Sequence, residues 1–199
     1  MKLFKTSIFP TNLYHCNDVL NEKDMDKINK YIKSTEKSTP NQTHGAIQKH
    51  KSLKPLNTEI KKMAKSIFDE CFYGYEDFQI TGMWATSLRI NESHPPHTHA
   101  NNFLSGVYFL KAVDTSAKLI FYDPRPQAHV IRPYKIKITT DNTTIWNIIP
   151  KTNTIYLFPS WLLHYVETSF CDKERTSIAF NIMFKGKIGE INQLEHNEF

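Results

Sequence analysis

The chain has 199 residues, enough for one well-buried domain and short for two. Its 40% hydrophobic and 13% aromatic content excludes a disordered protein, and no apolar run approaches the roughly 18 residues of a membrane span. The net charge of +5 is uneven: residues 1–67 carry 13 Lys and Arg against 6 Asp and Glu, whereas residues 68–199 carry 12 against 14.

Two amphipathic helices are predicted near the start of the chain, at residues 21–34 and 56–72. Their apolar positions at helical spacing are Met25, Ile28, Tyr31 and Ile32 in the first and Leu56, Ile60, Met63, Ala64, Ile67 and Phe68 in the second. Asn57 is the expected N-cap of the second helix. The polar stretch at residues 38–56 contains two prolines and a glycine, so we expect a loop there and consider it a candidate lid.

From Phe78 onward, short segments rich in β-branched and aromatic residues alternate with turn residues. The eight predicted strands are residues 79–90, 103–110, 118–122, 134–138, 145–149, 152–158, 164–168 and 175–184. Strands without intervening helices predict an all-β core, a double-sheet jelly roll with the N-terminal helices packed on one sheet. We expect a single domain, 1–199, comprising a mainly helical flank (1–77), the jelly-roll core (78–186) and a C-terminal tail (187–199).

A histidine cluster lies within the strand-rich region, in the run His94-Pro95-Pro96-His97-Thr98-His99. The two prolines favour extended backbone, on which His97 and His99 point to the same side. Two neutral imidazoles, joined by a third from a distant strand at His164, suit iron, zinc, copper or nickel. The sequence therefore predicts a metal site built from histidines.

The last predicted strand has two chemically different faces. One face carries Arg175, Ser177, Ala179, Asn181 and Met183, and the other carries Thr176, Ile178, Phe180, Ile182 and Phe184. The apolar face suits packing under the helices, which directs Arg175 and Ser177 into the jelly roll; polar side chains in solvent are the alternative. A buried guanidinium needs an anionic partner, and its planar fork matches a carboxylate.

Several of these segments together resemble one known family. They are His97-Thr98-His99, residues 104–110 (LSGVYFL), 121–125 (FYDPR), 157–164 (LFPSWLLH) and 175–181 (RTSIAFN), with a weaker echo at residues 8–11. From about Trp84 to Asn181, the sequence resembles the 2-oxoglutarate/Fe(II)-dependent oxygenases of bacteria and their phages. The resemblance implies a double-stranded β-helix, Fe(II) bound inside the barrel and 2-oxoglutarate as cosubstrate.

The resemblance also implies roles for individual residues. By position, His97 is the first iron ligand and His164 the distal one. Arg175 is expected to pair with the far carboxylate of 2-oxoglutarate, helped by Ser177 and Tyr108.

One motif departs from the wider superfamily, which usually has His-x-Asp or His-x-Glu where this chain has His97-Thr98-His99. The third iron position is therefore open to His99, which we favour, to Asp123 or to water. Three neutral ligands leave more positive charge on the metal, which alters its redox behaviour and its hold on an anionic cosubstrate. We expect His94 to lie near the ligands or at the surface.

The implied activity is oxidative decarboxylation of 2-oxoglutarate to succinate and carbon dioxide, coupled to hydroxylation of an unidentified substrate. One alternative is a cupin-like metal-binding jelly roll with another activity, a three-histidine dioxygenase or an isomerase. Another is a non-catalytic binding module with exposed histidines. Trp84, Trp161 and Phe103 are candidate apolar walls of the cavity, although packing in the β core is the more common role of such residues.

Partners and location are only weakly indicated. The basic N-terminal region is compatible with nucleic acid or another polyanion, but a lysine-rich solvated helix face is favoured because no basic run reaches five residues. Residues 1–11 lack the apolar core of a signal peptide, so a cytoplasmic protein without membrane contact is expected. Cys16, Cys71 and Cys171 have no CxxC spacing and are expected to be reduced. A homodimer is the default expectation for the oligomeric state.

Overall fold

Two antiparallel sheets form the core of the protein. The structure, a computed structural model, describes residues 1–125, 127, 130–190 and 194–198. The helices are α1 (Glu22–Ser34) and α2 (Lys54–Glu70). The strands are β1 (Tyr14–Asn17), β2 (Lys37–Thr39), β3 (Gln42–Thr43), β4 (Asp77–Leu88), β5 (His94–His97), β6 (Leu104–Lys111), β7 (Leu119–Tyr122), β8 (Ile145–Ile148), β9 (Thr154–Pro159), β10 (His164–Val166), β11 (Arg175–Lys185), β12 (Lys187–Ile188) and β13 (Asn197–Glu198).

The larger sheet has seven strands in the order β1-β9-β6-β11-β4-β3-β2, and the smaller has four in the order β5-β10-β7-β8. Every strand pairing within these sheets is antiparallel. This is the predicted jelly roll, a double-stranded β-helix, and the fold class is confirmed. The 1–77 segment adds strands as well as helices, because β1, β2 and β3 extend the larger sheet at its two ends.

The helices pack on the outer face of the larger sheet. Asn21 caps α1, its side-chain oxygen accepting from the backbone N–H of Asp24 at 2.9 Å. The predicted N-cap of α2 is wrong: this helix begins at Lys54 with Pro55 in its first turn, a position that suits a residue without an N–H. Asn57 instead donates to the backbone oxygen of Gln48 at 2.8 Å.

The apolar faces of the helices and of β11 meet in one core. Its members include Ile28, Ile32, Leu56, Ile60, Ala64, Ile67 and Phe68 from the helices and Ile178, Phe180, Ile182 and Phe184 from β11. A second core, containing Val107, Phe109, Leu119, Phe121 and Phe158, fills the space between the two sheets. The predicted division of β11 into a helix-facing and an interior face is therefore confirmed, and it aims alternate residues of that strand at the space between the sheets.

The segment predicted as a loop and candidate lid, residues 38–56, is instead packed structure. Its strand β3 pairs with β4, with Gln42 opposite Thr86. Two short 3-10 helices follow, Ile47–Lys49 and Lys51–Leu53, and the side chains of Ile47 and Leu53 are fully buried. Because these apolar anchors hold the segment against the helices and the sheet, its polar composition does not make it a mobile cover.

Seven of the eight predicted strands are present, and the exception is residues 134–138. That stretch has no strand, and Tyr134, Ile136 and Ile138 are exposed. The alternating pattern alone does not make a strand there: no strand pairing in the described part of the chain includes these residues. The eighth strand of the jelly roll is β5, which the two prolines concealed; it lies at a sheet edge, the position in a sheet that tolerates proline.

The predicted tail at residues 187–199 contains β12 and β13, which pair with each other. Among the described residues, no helix is both long enough and apolar enough to cross a membrane. The division into flank, core and tail stays a prediction.

Candidate functional site

Three imidazoles meet between the two sheets. His164 on β10 lies opposite His97 on β5, while His99 follows two residues after the end of β5. One nitrogen from each ring can be chosen so that all three lie within 4.8 Å of one another. The Nε2 atoms of His99 and His164 are 3.3 Å apart, and the His97 and His164 ring centroids are 4.4 Å apart. Such a cluster of nitrogen atoms has the size and chemistry of a metal site.

Backbone carbonyls orient two of these rings. The Nδ1 atom of His97 is 2.7 Å from the oxygen of Pro95, and that of His164 is 2.8 Å from the oxygen of Leu162. A carbonyl oxygen only accepts, so in both rings Nδ1 carries the proton and Nε2 presents a lone pair. A hydrogen bond of this kind on the remote nitrogen fixes ring orientation at metal sites.

Burial keeps His99 and His164 uncharged. Desolvation, with a smaller contribution from His97, lowers the pKa of His99 to about 4. Desolvation likewise lowers the pKa of His164 to about 4, against the opposing effect of its hydrogen bond to Leu162. Both rings are therefore neutral at pH 7, the form that binds a metal ion.

Arg175 supplies a buried positive charge to the same cavity. Its side chain is 3% exposed, and its Nε atom has no hydrogen-bond partner within the described part of the chain. The guanidinium carbon lies 4.9 Å from the centre of the Phe109 ring. Burial lowers the pKa of Arg175 to about 10, which leaves it charged at neutral pH. A buried guanidinium of this kind is stabilised by an anionic partner.

The three histidines and Arg175 line one partly open cavity, in which a volume of about 70 Å³ is accessible to the centre of a water molecule. Its polar wall is formed by the three clustered histidines, His94, Arg175, Ser177 and Thr86. No aspartate or glutamate is among the described residues of this lining. Along β11, Arg175 precedes Ala179 by four residues, about 13 Å of extended strand, and Ala179 pairs with Trp84, the neighbour of His99.

His94 lines the cavity, one of the two positions that we considered for it from the sequence. On β5 it is three residues from His97, but on β10 their partners, Val166 and His164, are only two residues apart. The extra residue is a β-bulge, which returns His94 to the interior side. Burial lowers its pKa, and the charge of Arg175 lowers it further. A bulge of this kind has no signature in the sequence.

Two residues suggested for the site lie elsewhere. Tyr108, proposed to help bind 2-oxoglutarate, faces the helices, because its neighbours Val107 and Phe109 occupy the interior face of β6. Its hydroxyl donates to Oδ1 of Asn153 at 2.8 Å, and burial raises its pKa. Asp123 is outside the three-histidine cluster, and both of its carboxylate oxygens accept from the Arg125 guanidinium, at 3.0 and 2.9 Å.

The three aromatic residues considered as cavity walls are divided. Trp84 lines the cavity, its ring 5.8 Å from that of His99. Phe103 packs against Phe184 on the helix side at 4.6 Å, and Trp161 is 57% exposed. Only Trp84 among them therefore touches the space beside the histidines.

Comparison with known proteins agrees with the resemblance seen in the sequence. Residues 82–181, half of the chain, match the family model described as "Putative 2OG-Fe(II) oxygenase". No curated protein matches the sequence.

Solved structures share the fold at low sequence identity. The epimerase SnoN from nogalamycin biosynthesis has a TM-score of 0.65 and 10% identity, covering 92% of this chain and 81% of its own. A Pseudomonas putida prolyl-4-hydroxylase has a TM-score of 0.62 and 12% identity, covering 88% and 89%. HygX from Streptomyces hygroscopicus, crystallised with nickel and 2-oxoglutarate, has a TM-score of 0.62 and 8% identity, covering 87% and 82%. At 8–12% identity these structures support the fold alone, whereas the family model supports membership of the family. The chain belongs to the 2-oxoglutarate- and Fe(II)-dependent oxygenase family, with Fe(II) and 2-oxoglutarate as its cofactor and cosubstrate.

Proposed function

We propose that this oxygenase hydroxylates its substrate and that His97, His99 and His164 hold its iron. The support is geometric: the three side chains converge, His97 and His164 each have Nδ1 bound to a carbonyl, and the Nε2 atoms of His99 and His164 are 3.3 Å apart. Of the three sources considered for the third ligand, His99 is the one whose nitrogen lies in the cluster. Asp123 contributes no atom to it and is engaged by Arg125.

We propose Arg175 as the residue that binds the far carboxylate of 2-oxoglutarate, with Ser177 beside it. The observation that carries the proposal is the buried guanidinium without an acceptor at Nε, in a cavity whose described lining has no carboxylate of its own. A charge in such a place is costly until an anion arrives, and a carboxylate matches its fork. Ser177 is 8% exposed, lies two residues along the same face and lines the same cavity.

When bound, Fe(II) and 2-oxoglutarate supply the activation of dioxygen that oxidises the substrate, with release of succinate and carbon dioxide. The chain's own residues position the reactants. The carbonyls of Pro95 and Leu162 keep the donor nitrogens aimed at one point. Leu88, Leu119, Val166 and Phe158 line the cavity with apolar surface, which keeps water from the reacting centre.

The three-histidine set affects the strength of cosubstrate binding. Three imidazoles carry no charge, whereas a set that includes a carboxylate cancels one unit of the metal's charge. The metal and Arg175 therefore present about +3 to a dianion instead of +2, which favours tight binding of 2-oxoglutarate.

Hydroxylation is the proposed outcome because it is the default of the family; the P. putida neighbour is itself a prolyl-4-hydroxylase.

Succinate formation from 2-oxoglutarate tests this function directly. The purified protein, loaded anaerobically with Fe(II) and then given oxygen, should convert 2-oxoglutarate to succinate, faster when the right substrate pool is added. Arg175→Ala should abolish this conversion while leaving iron bound, and His164→Ala should lose the iron. Unchanged turnover in Arg175→Ala would refute the assignment of the cosubstrate site.

The same variants separate the competing classes. A cupin-like isomerase or three-histidine dioxygenase binds metal through the same histidines but does not need Arg175 for a dicarboxylate. A non-catalytic module takes up no Fe(II) in the wild type.

We also propose a cytoplasmic location, supported by the three free cysteines.

A further inference from the structure

His99 is the imidazole with the least regular support. His97 and His164 lie opposite each other on paired strands, so the ladder between β5 and β10 fixes both. His99 comes after β5 has ended at His97, in a stretch without regular structure. Its backbone N–H donates to the carbonyl oxygen of Ser160 at 2.9 Å. The position of the third imidazole thus depends on the turn that contains Ser160.

That turn serves two of the three imidazoles. It connects β9 to β10, and the N–H of Leu162 donates to the oxygen of Pro159 at 3.0 Å. The carbonyl of Ser160 holds the backbone of His99, and the carbonyl of Leu162 holds Nδ1 of His164. A displacement of this turn would move both rings relative to each other.

A buried chain of hydroxyls ties the turn to the larger sheet. Oγ of Ser160 is 2.8 Å from Oγ of Ser105 on β6, and Ser105 donates to Oδ1 of Asn181 on β11 at 2.8 Å. Because the hydroxyl proton of Ser105 goes to Asn181, its oxygen must accept from Ser160. Ser105 and Ser160 are 1% and 0% exposed, so the bond between them is made away from water, and the bond to the half-buried Asn181 is partly shielded. The chain runs from Ser160 through Ser105 to Asn181.

We infer that Ser160, Ser105 and Asn181 are positioning residues for the metal site, acting through the Ser160 carbonyl on His99. The inference rests on the proposed function, since it assigns His99 as a ligand. None of the three lines the cavity, so their role is to fix the turn and not to touch metal or cosubstrate. Directional hydrogen bonds in a buried setting hold one arrangement where apolar contacts would allow several. The three residues lie in the segments SGVY, FPSW and AFN. The hydrogen bonds therefore connect three segments that are far apart in the chain.

The test measures metal binding, using Co(II) under anaerobic conditions and its visible absorption spectrum, which reports the coordination geometry. Ser160→Ala removes the start of the chain, and Asn181→Leu removes its final acceptor at similar volume. Each should weaken Co(II) binding about tenfold and alter the spectrum, as loss of groups that orient metal ligands usually does. Asn181→Asp keeps an acceptor oxygen and should restore the affinity to within about twofold of the wild type.

A matched control removes a buried hydroxyl elsewhere. Thr154 is fully buried on β9 and donates to Oδ1 of Asn17 at 3.0 Å, away from the histidines. Thr154→Val should lower the melting temperature and leave the Co(II) affinity and spectrum as in the wild type. This separates general loss of stability from loss of ligand positioning.

A double-mutant comparison tests the route through His99. In a His99→Ala background, Ser160→Ala should weaken Co(II) binding clearly less than it does in the wild type, because the effect through His99 is gone and only the effect of the turn on His164 remains. Wild-type affinity and spectrum in both Ser160→Ala and Asn181→Leu would overturn the inference, as would an equal loss in the His99→Ala background. Either result leaves succinate formation by the wild type, and hence the proposed function, untouched. A wild type that binds Co(II) but forms no succinate would remove the function and leave the positioning role.

Discussion

Replacing Arg175 by methionine should make the protein more stable and less able to bind 2-oxoglutarate. The substitution keeps most of the side-chain volume and removes the charge. Arg175 is 3% exposed, and its Nε has no acceptor among the residues that the structure describes, so without an anion the guanidinium carries a buried charge that these residues leave uncompensated. At few buried positions does removal of a native group stabilise the fold, and here the proposed binding of 2-oxoglutarate explains why the unfavourable residue is present.

The size of the effect follows from the pKa. Burial lowers the pKa of Arg175 from 12.5 to about 10. At 1.36 kcal/mol per unit, this is about 3 kcal/mol by which burial disfavours the charged form at pH 7. The contact with the Phe109 ring, at 4.9 Å, is worth about 1–2 kcal/mol and is lost with the guanidinium. The net gain in unfolding free energy is about 1–2 kcal/mol, or roughly 2–8 °C in melting temperature for a chain of this length.

Binding should change in the opposite direction. Loss of one partner of a buried charge pair costs about 2–5 kcal/mol, which is at least about 30-fold in the dissociation constant of 2-oxoglutarate. Calorimetric unfolding and titration of the Co(II)-loaded protein without oxygen measure both quantities without turnover. Arg89→Met is the matched control, because Arg89 is exposed and pairs with Glu174 at 3.7 Å; it should shift stability by less than about 0.5 kcal/mol.

Two results would refute this reasoning. If the Arg175→Met variant unfolds at a lower temperature than the wild type without 2-oxoglutarate, the guanidinium is already satisfied in the folded protein. A dissociation constant for 2-oxoglutarate within about threefold of the wild type would mean that the anion binds elsewhere. The wild type should also gain more stability from 2-oxoglutarate than the variant, since ligand binding adds to the folded state alone.

Three further changes test other parts of the structure. Tyr108→Phe removes the hydroxyl that donates to Asn153 at 2.8 Å. It should lower the unfolding free energy in urea by about 1 kcal/mol and leave the KM for 2-oxoglutarate unchanged. A raised KM with normal stability would show that Tyr108 helps to bind the cosubstrate. Burial lowers the pKa of His99 and of His164 to about 4. Between about pH 6.5 and 4 the unfolded chain therefore binds more protons than the folded protein. The metal-free protein should lose stability as the pH falls through that range. His164→Asn should flatten this dependence, and a urea midpoint that stays constant across that pH range in the wild type would contradict the burial of neutral imidazoles. Gly106→Ala places a Cβ against the ring of Phe180 and 2.6 Å from the backbone carbonyl oxygen of Tyr156 on β9. It should destabilise the fold by about 1–3 kcal/mol. An unchanged urea midpoint would show that the strands can move apart there.

Periodicity alone determined the layers of the fold. The spacing of Ile28 and Ile32 in α1, and of Ile60, Ala64 and Ile67 in α2, predicted the helix faces that are buried. In β11 the strict alternation predicted which residues face the helices and which face the cavity, because a strand has only two sides. These are local properties of backbone geometry, so they can be recovered from the order of residues.

The composition of the site was also predictable as a set of residue types. His97, His99, His164 and Arg175 were singled out because imidazoles and a guanidinium have few other roles in the interior of a β protein. Their convergence required that β5, β10 and β11 occupy facing positions in two sheets, which the family resemblance implied.

Other features were decided only by the tertiary structure. Tyr108 lies between Val107 and Phe109, whose side chains face the space between the sheets, and only the place of β6 in the sheet turns Tyr108 toward Asn153. His94 enters the cavity through a bulge between β5 and β10, and residues 134–138 lack a strand because no neighbour pairs with them. Each depends on contacts between segments far apart in the chain, whose energies no local pattern encodes.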